Sequence, residues 1–173
     1  MDTVAAVDKP APLFTLPDLS GTERSLQDWL GRVVIINFWS AECPWSERTD
    51  LHLLAQMPAW GDRVVLCTIA ANAHETPELV AHTARERGLP LVLLDPEQKV
   101  VNLYGAQTTP HAFVIDQEGV LRYQGAVDDV TFRRREPTRF YLRDAVEAVL
   151  AGKKPSPAAT APYGCTIVHA GDL

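Results

Sequence analysis

The sequence has few cysteines and no long apolar run. Three cysteines occur among 173 residues, and this odd number fits individually placed thiols in a reducing compartment better than a disulfide framework. No apolar stretch approaches the roughly 20 residues that a transmembrane helix needs, so we expect no transmembrane segment. The N-terminus, MDTVAAVDKP, lacks a basic segment followed by an apolar one. This predicts no signal peptide and a cytoplasmic protein, although a processed mature chain would look the same.

Basic residues are fewer than acidic residues. The chain has 16 lysines and arginines against 22 acidic residues, which gives a net charge of −6. We therefore expect neither nucleic acid nor an anionic membrane as a main partner. The one basic run, at positions 133–135, is followed by Glu136 and is interpreted as a solvated loop. Hydrophobic residues make up 46% of the chain, enough at this length to bury the core of one soluble domain.

Strand-like and helix-like segments alternate along the chain. Apolar, β-branched segments predict strands at LFTL (13–16), VVIINFW (33–39), RVVLCTIAA (63–71), LVLLD (91–95), HAFVID (111–116) and VLRYQG (120–125). Capping and stop residues predict helices at 26–30 after Ser25, from just after Cys43 to about Met57, before Pro58, from Pro77 to Gly88, in a short segment ending near Gly105, and between Pro137 and Gly152. In the second helix, Leu51, Leu54 and Met57 are expected on one face.

The order of these segments predicts an α/β fold. A parallel β-α-β unit, a further helix and an antiparallel β-β-α unit form a thioredoxin-like, three-layer layout with a central mixed β-sheet flanked by helices. We assign residues 1–152 to this domain. Residues 153–173 are rich in proline and small residues, show no periodicity, and are interpreted as an extended C-terminal tail that carries Cys165.

Cys43 stands where chemistry is expected in such a fold. It follows the predicted strand 33–39 and precedes a predicted helix, at the carboxyl end of a central strand. The free N–H groups and the positive dipole end of that helix stabilise a thiolate and lower a cysteine's pKa. Glu42 and Glu47 place opposing negative charge nearby. We interpret Cys43 as a reactive nucleophile, and the alternative is an inert buried cysteine.

Two segments, APLFTLPDLSGTERSLQDWLGRVVIINFWSAEC and TTPHAFVIDQEGVLRYQG, resemble the thioredoxin-like redoxins. This broad group contains the alkyl hydroperoxide reductase/thiol-specific antioxidant proteins and the thiol–disulfide reductases. The last helix and APYGCTIVH are similar to a bacterial subgroup with a C-terminal Gly-Cys pair. The resemblance implies a nucleophilic Cys43 and a cis-proline, Pro110 after Thr109, in a turn that offers backbone groups to an extended substrate strand. His111 is then expected to be a packed or surface residue rather than an acid–base catalyst.

Position 46 departs from a thioredoxin-type dithiol motif because it is serine. Ser46 cannot form the disulfide with Cys43 that would release a reduced substrate. Its hydroxyl could donate a hydrogen bond to the Cys43 thiolate, or it could cap the helix, and these two roles are compatible.

The chain also departs from a typical peroxiredoxin, which surrounds its peroxidatic cysteine with a proline, a hydroxyl residue and an arginine. Ser40 matches the hydroxyl position, but Ile36 stands at the proline position and Pro110 at the arginine position. The sequence therefore does not support a conventional peroxiredoxin pocket, although sulfenic acid formation at a low-pKa cysteine needs only access.

The two remaining cysteines differ in context. Cys67 lies inside VVLCTIA and is predicted to be buried and unreactive. Cys165 lies in the tail, and we predict that it resolves a sulfenic acid or mixed disulfide on Cys43; the alternative is an incidental thiol in a docking segment. Cys165 and His169 have a C-x3-H spacing, but one such pair is weak evidence for a metal site. We expect no metal and no cofactor.

Two functions remain open. In the first, the protein is a thiol-based oxidoreductase in which Cys43, Ser46 and Cys165 act on a protein disulfide or a peroxide, and Cys165 or an external thiol reductant regenerates Cys43. Substrate contacts are then expected from Trp39, Ser40, Pro44, Trp45, Thr109 and Pro110. In the second, a redox-inactive thioredoxin-fold module with a degenerate C-x-x-S site holds a protein partner on a surface formed by Trp39, Trp45 and Pro110. We favour the first, because tryptophans around such a loop are also ordinary core residues.

Overall fold

The computed structural model describes residues 4–173. Its strands are β1 (Thr15–Pro17), β2 (Glu23–Ser25), β3 (Val33–Trp39), β4 (Val64–Ala70), β5 (Val92–Leu94), β6 (Thr108–Thr109), β7 (His111–Ile115), β8 (Leu121–Gly125) and β9 (Cys165–Thr166). Its α-helices are α1 (Pro44–Trp60), α2 (Pro77–Arg87), α3 (Lys99–Tyr104) and α4 (Tyr141–Leu150). Residues 1–3, which begin the segment used to predict that no signal peptide is present, lie outside the described residues. Among residues 4–173, every helix is too short or too polar to cross a membrane.

The central sheet has the strand order β5-β4-β3-β7-β8. β3, β4 and β5 are parallel, whereas β7 is antiparallel to both β3 and β8. Every residue of β3 is buried, as its apolar, β-branched sequence predicts for a strand covered on both faces. The mixed sheet and its order confirm the predicted α/β layout.

Helices cover both faces of the sheet. On β3, Val33 and Ile35 point to a core shared with α1 and α4, whereas Val34 and Ile36 point to a core shared with α3 and the N-terminal segment. This alternation follows from the two-residue period of a strand. α2 packs over Trp39, at the carboxyl end of β3, on the same face as α1. The carboxyl ends of the parallel strands therefore lie beside the first turn of α1.

The prediction that α1 ends before Pro58 is wrong, because the helix continues to Trp60. A proline within a helix removes one hydrogen bond and strains the preceding turn. Here Trp60, in the last turn, is buried in the core that also contains residues of α4 and β4, and this burial favours the continued helix. The predicted apolar face is also partly wrong: Leu54 and Met57 pack against the core, but Leu51 is 71% exposed and Leu53 is buried instead.

The other helix ends follow their local signals. Thr76 caps α2 by accepting a hydrogen bond from the Leu79 N–H, and Gly88 ends it in a left-handed conformation. Gly105 ends α3 in the same way. The segment after Ser25 forms a short 3₁₀ turn, Leu26–Trp29, rather than an α-helix.

Residues 153–173 are extended and lie against the domain. The segment first runs along β8, where the Gln124 N–H donates to Ala158 O and the Thr160 N–H donates to Gln124 O. It crosses this edge at Gly125, where a Cβ would lie only 2.3 Å from Thr160. It then forms β9 beside β6 and ends in a 3₁₀ turn, Ala170–Asp172.

Candidate active site

Cys43 lies at the start of α1, at the carboxyl end of β3. It is the N-cap residue, with Pro44 as the first helical residue, and its side chain makes no capping hydrogen bond. Only 3% of Cys43 is exposed. The sulfur therefore lies next to the N–H groups of the first helical turn, in the position that favours a thiolate.

The two-residue strand β6 brings the tail to Cys43. The Thr109–Pro110 peptide bond is cis, as the family resemblance implied, and β6 precedes it. β9 pairs with β6 in antiparallel fashion, so that Cys165 lies opposite Thr109. The Cys165 Sγ is 2.6 Å from the Cys43 Sγ, and the Cys43 Sγ is also 3.1 Å from the main-chain oxygen of Thr109. Residues that are 122 positions apart in sequence thus bring their sulfurs together.

The thiols of Cys43 and Cys165 differ in pKa. Burial raises the pKa of Cys43, but the contact with the Cys165 thiol and the N–H groups of Ser46 and Cys165 outweigh it, so the pKa is lowered from its ordinary value. Burial, followed by the hydrogen bond to Cys43 and its charge, raises the pKa of Cys165 to about 12. Of the two thiols, Cys43 is therefore the one that loses its proton at the lower pH.

Ser46 lies behind Cys43 and is fully buried. It is the third residue of α1, so it does not cap the helix, and that interpretation is wrong. Its Oγ accepts a hydrogen bond from the Ser40 N–H at 3.3 Å. It is the Ser46 backbone N–H, rather than its hydroxyl, that lowers the Cys43 pKa. Ser46 therefore connects the loop at residues 40–42 to the first turn of α1.

The Glu75 carboxylate holds the loop that precedes Cys43. It accepts hydrogen bonds from the Ser40 hydroxyl, from the Ala41 N–H at 2.9 Å and from the Glu42 N–H at 3.3 Å. Glu75 is only 9% exposed. Because the Ser40 hydroxyl donates its proton to Glu75, it does not donate to Cys43, as a peroxiredoxin-like arrangement would require.

Trp39 is fully buried, so it offers no surface to a substrate or partner, and its prediction as a contact residue is wrong. Its Nε1 donates to Asp50 at 2.7 Å, and Arg87 donates to the same carboxylate at 3.0 Å. Arg87 also donates to the main-chain oxygen of Ala41 at 2.9 Å and lies 5.5 Å from the Trp39 ring. Burial raises the pKa of Asp50 to about 6, although the hydrogen bonds from Trp39 and Arg87 lower it.

The other predicted contact residues surround Cys43 more closely. Trp45 is partly buried and meets the tail residue Tyr163 edge to face, with ring centroids 5.0 Å apart. Pro44 is exposed, whereas Thr109 and Pro110 are buried beside the sulfurs. The tail thus covers most of the surface that was expected to contact a substrate.

The tail is anchored beyond Cys165 as well. Ile167 is 1% exposed and belongs to the core that contains α3. The next residue, Val168, donates its N–H to Asn72 Oδ1 at 2.7 Å, and its main-chain oxygen accepts from the Ala73 N–H and the Gln98 side chain. These contacts fix the register that places Cys165 at Cys43.

Cys67 and His111 are structural. Cys67 is fully buried in β4, and burial raises its pKa, as predicted for an unreactive thiol. His111 is buried in β7 and stacks on Phe113 with ring centroids 4.7 Å apart. Its Nδ1 accepts the Gln107 N–H, and burial lowers its pKa to about 4, which is far from the value an acid–base catalyst needs near neutral pH.

Sequence reasoning missed three side chains that organise this site: Glu75, Asp50 and Gln98. Glu75 follows the carboxyl end of β4, which lies next to the carboxyl end of β3. Because functional side chains collect at this edge of an α/β sheet, the position of Glu75 in the sequence indicates a residue of the site. Glu42, His74 and Glu75 bring three possible ligand atoms within 4.8 Å of one another. Both Glu75 oxygens already accept hydrogen bonds from the loop that precedes Cys43. These hydrogen bonds account for the position of the carboxylate without a metal ion.

Comparison with known proteins gives a consistent result. The profile of the AhpC/TSA family matches residues 7–124. The thiol-disulfide oxidoreductase ResA of Geobacillus thermodenitrificans is 33% identical over 121 residues, which cover 69% of each chain. The thioredoxin domain of a thiol-disulfide oxidoreductase from Bacteroides vulgatus has a TM-score of 0.63 at 24% identity and covers 75% of this chain and 92% of that one, which supports a thioredoxin-like fold.

A crystal structure of a hypothetical protein from Sinorhizobium meliloti 1021 is similar over a longer range. It has a TM-score of 0.85 at 29% identity and covers 95% of both chains. The uncovered remainder is shorter than the segment 153–173, so the similarity includes part of the tail. Together the comparisons support a thiol-based redox function. The subgroup defined by a C-terminal Gly-Cys pair stays a prediction.

Proposed function

This chain belongs to the AhpC/TSA family, and on that premise we propose that it is a thiol–disulfide oxidoreductase in which Cys43 attacks a substrate disulfide and Cys165 resolves the product. The observation that carries the proposal is the 2.6 Å approach of the two sulfurs, which the β6–β9 pairing holds in place. The named relatives, such as ResA, are thiol-disulfide oxidoreductases. The second sulfur that position 46 lacks is thus supplied from the tail.

The first step uses the charge on Cys43. The thiolate attacks one sulfur of a substrate disulfide, a mixed disulfide forms between Cys43 and that sulfur, and the other substrate sulfur leaves as a thiolate. The N–H groups at the start of α1 stabilise the attacking thiolate because they point at the sulfur. Glu75 and Ser46 support the step by holding the loop and the helix start in position.

The second step uses the proton held by Cys165. Once Cys43 is in a mixed disulfide, its negative charge is gone, and with it one of the causes that raise the pKa of Cys165. Cys165 then loses its proton and attacks the Cys43 sulfur. A Cys43–Cys165 disulfide forms, the bond from Cys43 to the substrate breaks, and the substrate sulfur leaves as a thiol. An external thiol reductant returns both cysteines to the reduced state.

Two other functions have weaker support. A peroxide substrate would need hydrogen-bond donors around Cys43, but the Ser40 hydroxyl is engaged by Glu75. A redox-inactive binding module was expected to use the surface of Trp39, Trp45 and Pro110, but Trp39 and Pro110 are buried and Tyr163 of the tail packs on Trp45. Thiol–disulfide exchange requires neither feature.

The proposal is tested by mass spectrometry of the reduced, full-length protein after a stoichiometric pulse of a small disulfide. Peptide mapping is expected to find a disulfide between the peptides that contain Cys43 and Cys165. The bond is absent in Cys43→Ser and Cys165→Ser and is retained in Cys67→Ala, the matched control. If Cys43 reacts no faster than a free cysteine, or if no Cys43–Cys165 bond forms, the proposal is rejected. A parallel pulse of hydrogen peroxide shows whether peroxide is also used.

A further inference from the structure

The basic run at positions 133–135 belongs to an exposed loop between β8 and α4, which we call the arginine loop and define as residues 131–140. The loop contains four arginines and one acidic residue, Glu136, and all four arginines are exposed. Its charge is therefore opposite in sign to the net charge of −6 on the whole chain. The loop also lies beyond residues 7–124, the part of the chain that matches the AhpC/TSA profile.

Most of the positive charge on the arginine loop has no acidic partner. Within the described part of the chain, Arg134 is the one arginine of the four that forms an ion pair, with Asp129 at 3.9 Å. The Arg133 Cζ instead lies 5.5 Å from the centroid of the Phe132 ring, and Arg139 stacks in a similar way on a neighbouring tyrosine. A guanidinium that stacks on an aromatic ring keeps its charge and its planar set of hydrogen-bond donors. The loop thus presents cations that are free to bind an anion.

Phe132 adds an apolar group beside these cations. Its side chain is 67% exposed. Arginine and aromatic residues are enriched at protein–protein interfaces, whereas lysine is depleted there, and the arginine loop contains no lysine. Nucleic acid and anionic membranes are disfavoured by the net charge of −6 on the chain. The composition of the loop therefore favours an acidic protein as its ligand.

Hydrogen bonds close the arginine loop on itself. The Asp129 carboxylate accepts from the Thr138 N–H at 2.8 Å and from the Thr138 hydroxyl. The Thr131 Oγ1 accepts from the N–H groups of Arg133 and Arg134, each at 3.2 Å. A surface that is ordered before binding loses less conformational entropy when a partner docks.

The arginine loop also contacts the residues that flank both reactive cysteines. The Phe132 N–H donates to the Tyr163 hydroxyl at 2.9 Å, and Tyr163 lies two residues before Cys165. The Tyr163 ring meets the ring of Trp45 with centroids 5.0 Å apart, and Trp45 lies two residues after Cys43. A protein that binds the arginine loop is therefore held next to the nucleophile.

We propose that the arginine loop is the docking surface for the protein substrate of Cys43, and that this substrate presents carboxylates and an apolar side chain near its disulfide. The carboxylates pair with Arg133, Arg135 and Arg139, and the apolar side chain packs on Phe132. Docking makes and breaks no covalent bond, and the exchange that follows is the attack by Cys43 described above. This inference rests on the proposed function, because it names the substrate class of that attack.

The test measures how fast the reduced, full-length protein reacts with three peptides that differ in charge. Each peptide has an acetylated cysteine, three glycines and then four glutamates, four glutamines or four lysines, and ends in an amide. Its cysteine carries a 2-thiopyridyl group through a disulfide. The Cys43 thiolate attacks the peptide sulfur, a mixed disulfide forms, and the other sulfur leaves as 2-thiopyridone, whose absorbance is followed.

The glutamate peptide is expected to react about tenfold faster than the glutamine peptide at about 0.1 M salt. Under these conditions charges act over about 10 Å, so the arginine loop attracts the peptide while more distant acidic residues are screened. At about 1 M salt, where charges act over about 3 Å, the two rates should agree within about twofold.

Two variants with the same change in net charge show whether the arginine loop is responsible. Arg133→Gln/Arg135→Gln is expected to remove most of the advantage of the glutamate peptide. The matched control, Arg32→Gln/Lys153→Gln, also removes two exposed positive charges. Arg32 precedes β3 and so lies at the opposite end of that strand from Cys43, and the control should keep the advantage. Equal losses in the two variants would overturn the proposal.

A reference reaction separates this proposal from the proposed function. The neutral reagent 2,2′-dithiodipyridine reports the reactivity of Cys43 without a docked partner, and Cys43→Ser measures the reaction of the other thiols, which is subtracted. If Cys43 reacts with neither this reagent nor the peptides, the proposed function fails. If it reacts with the reagent but the three peptides react within about twofold of one another, or the lysine peptide reacts fastest, the docking proposal alone is overturned.

Nucleic acid is the competing ligand for a surface rich in arginine. A fluorescently labelled glutamate peptide with serine in place of its cysteine is compared with a labelled DNA strand of five nucleotides, which carries the same number of negative charges. We expect the wild-type protein to bind the peptide more tightly than the DNA in an anisotropy titration, and Arg133→Gln/Arg135→Gln to weaken that binding. Tighter binding of the DNA would assign the arginine loop to nucleic acid and overturn the proposal.

Discussion

The indole Nε1 of Trp39 donates a hydrogen bond of 2.7 Å to the Asp50 carboxylate. Trp39 ends β3 and Asp50 lies in α1, so this bond joins the two elements on either side of the Cys43 loop. Arg87 of α2 contacts the same carboxylate at 3.0 Å and also reaches the loop at Ala41. Three elements are therefore tied together behind the nucleophile by one buried acid.

Asp50 is expected to make the stability of the protein fall as pH rises from about 4 to about 6. Its pKa is raised to about 6 by burial, against about 4 for an unfolded aspartate. Between these values the folded state binds the proton more tightly than the unfolded state, so raising the pH costs folding free energy, in total roughly 2–3 kcal/mol. The measurement is urea unfolding of the wild type and Asp50→Asn across this range. A wild-type-minus-variant difference that stays constant with pH would contradict the prediction.

Glu75→Gln is expected to loosen the loop before Cys43. An amide has one accepting oxygen, and its NH₂ group would face the Ala41 or Glu42 N–H that the carboxylate now accepts. Leaving such a buried group unpaired costs about 1–3 kcal/mol of unfolding free energy, and we expect slower formation of the Cys43–Cys165 disulfide. The matched control is Glu78→Gln, an exposed residue of α2, which should change stability by about 0.5 kcal/mol or less. Equal effects of the two variants would show that Glu75 does not hold the loop.

The thiolate of Cys43 is expected to appear at lower pH than that of a free cysteine, whose pKa is about 8.5. Ultraviolet absorbance of the thiolate measures this in reduced protein without requiring a reagent to enter the site. Cys165→Ala removes the thiol that donates to Cys43, so the midpoint should rise. Cys67→Ala should leave it in place, because burial raises the pKa of Cys67. A wild-type midpoint at or above that of free cysteine would contradict a stabilised thiolate.

The elements that local sequence determines could be predicted. The buried strand β3, the cap at Thr76 and the left-handed Gly88 all follow from residue type and spacing. The placement of Cys43 at a helix start followed in the same way. The C-terminal end of α1 could not be predicted in this way, because the burial of Trp60, which favours a helix that continues past Pro58, is a tertiary interaction.

The sequence predicts that Cys165 acts on Cys43, but the non-local contacts that hold the two residues together could not be predicted. Nothing in the sequence around Cys165 states that β9 pairs with β6, and the burial of Ile167 that fixes this register depends on α3. The orientation of Trp39 was misjudged for a related reason. A tryptophan at a strand end can face solvent or core. Here the indole hydrogen bond to Asp50, eleven residues further along the chain, holds the side chain in the core.

Ile167→Ala is expected to weaken the docking of the tail and thereby the Cys43–Cys165 disulfide. The side chain is buried in the core, and its truncation removes about 2–4 kcal/mol of packing free energy if the tail stays docked. Weaker docking lowers the effective concentration of Cys165 at Cys43, so the disulfide becomes easier to reduce, by about 30 mV for each 1.4 kcal/mol lost. The measurement is the equilibrium of the protein with glutathione redox buffers. Leu173→Ala, at an exposed residue of the same segment, is the control and should leave the potential unchanged. A potential for Ile167→Ala equal to that of the wild type would mean that the two sulfurs are held together by β6 and the Cys43 loop alone, without the anchor that follows them in the chain.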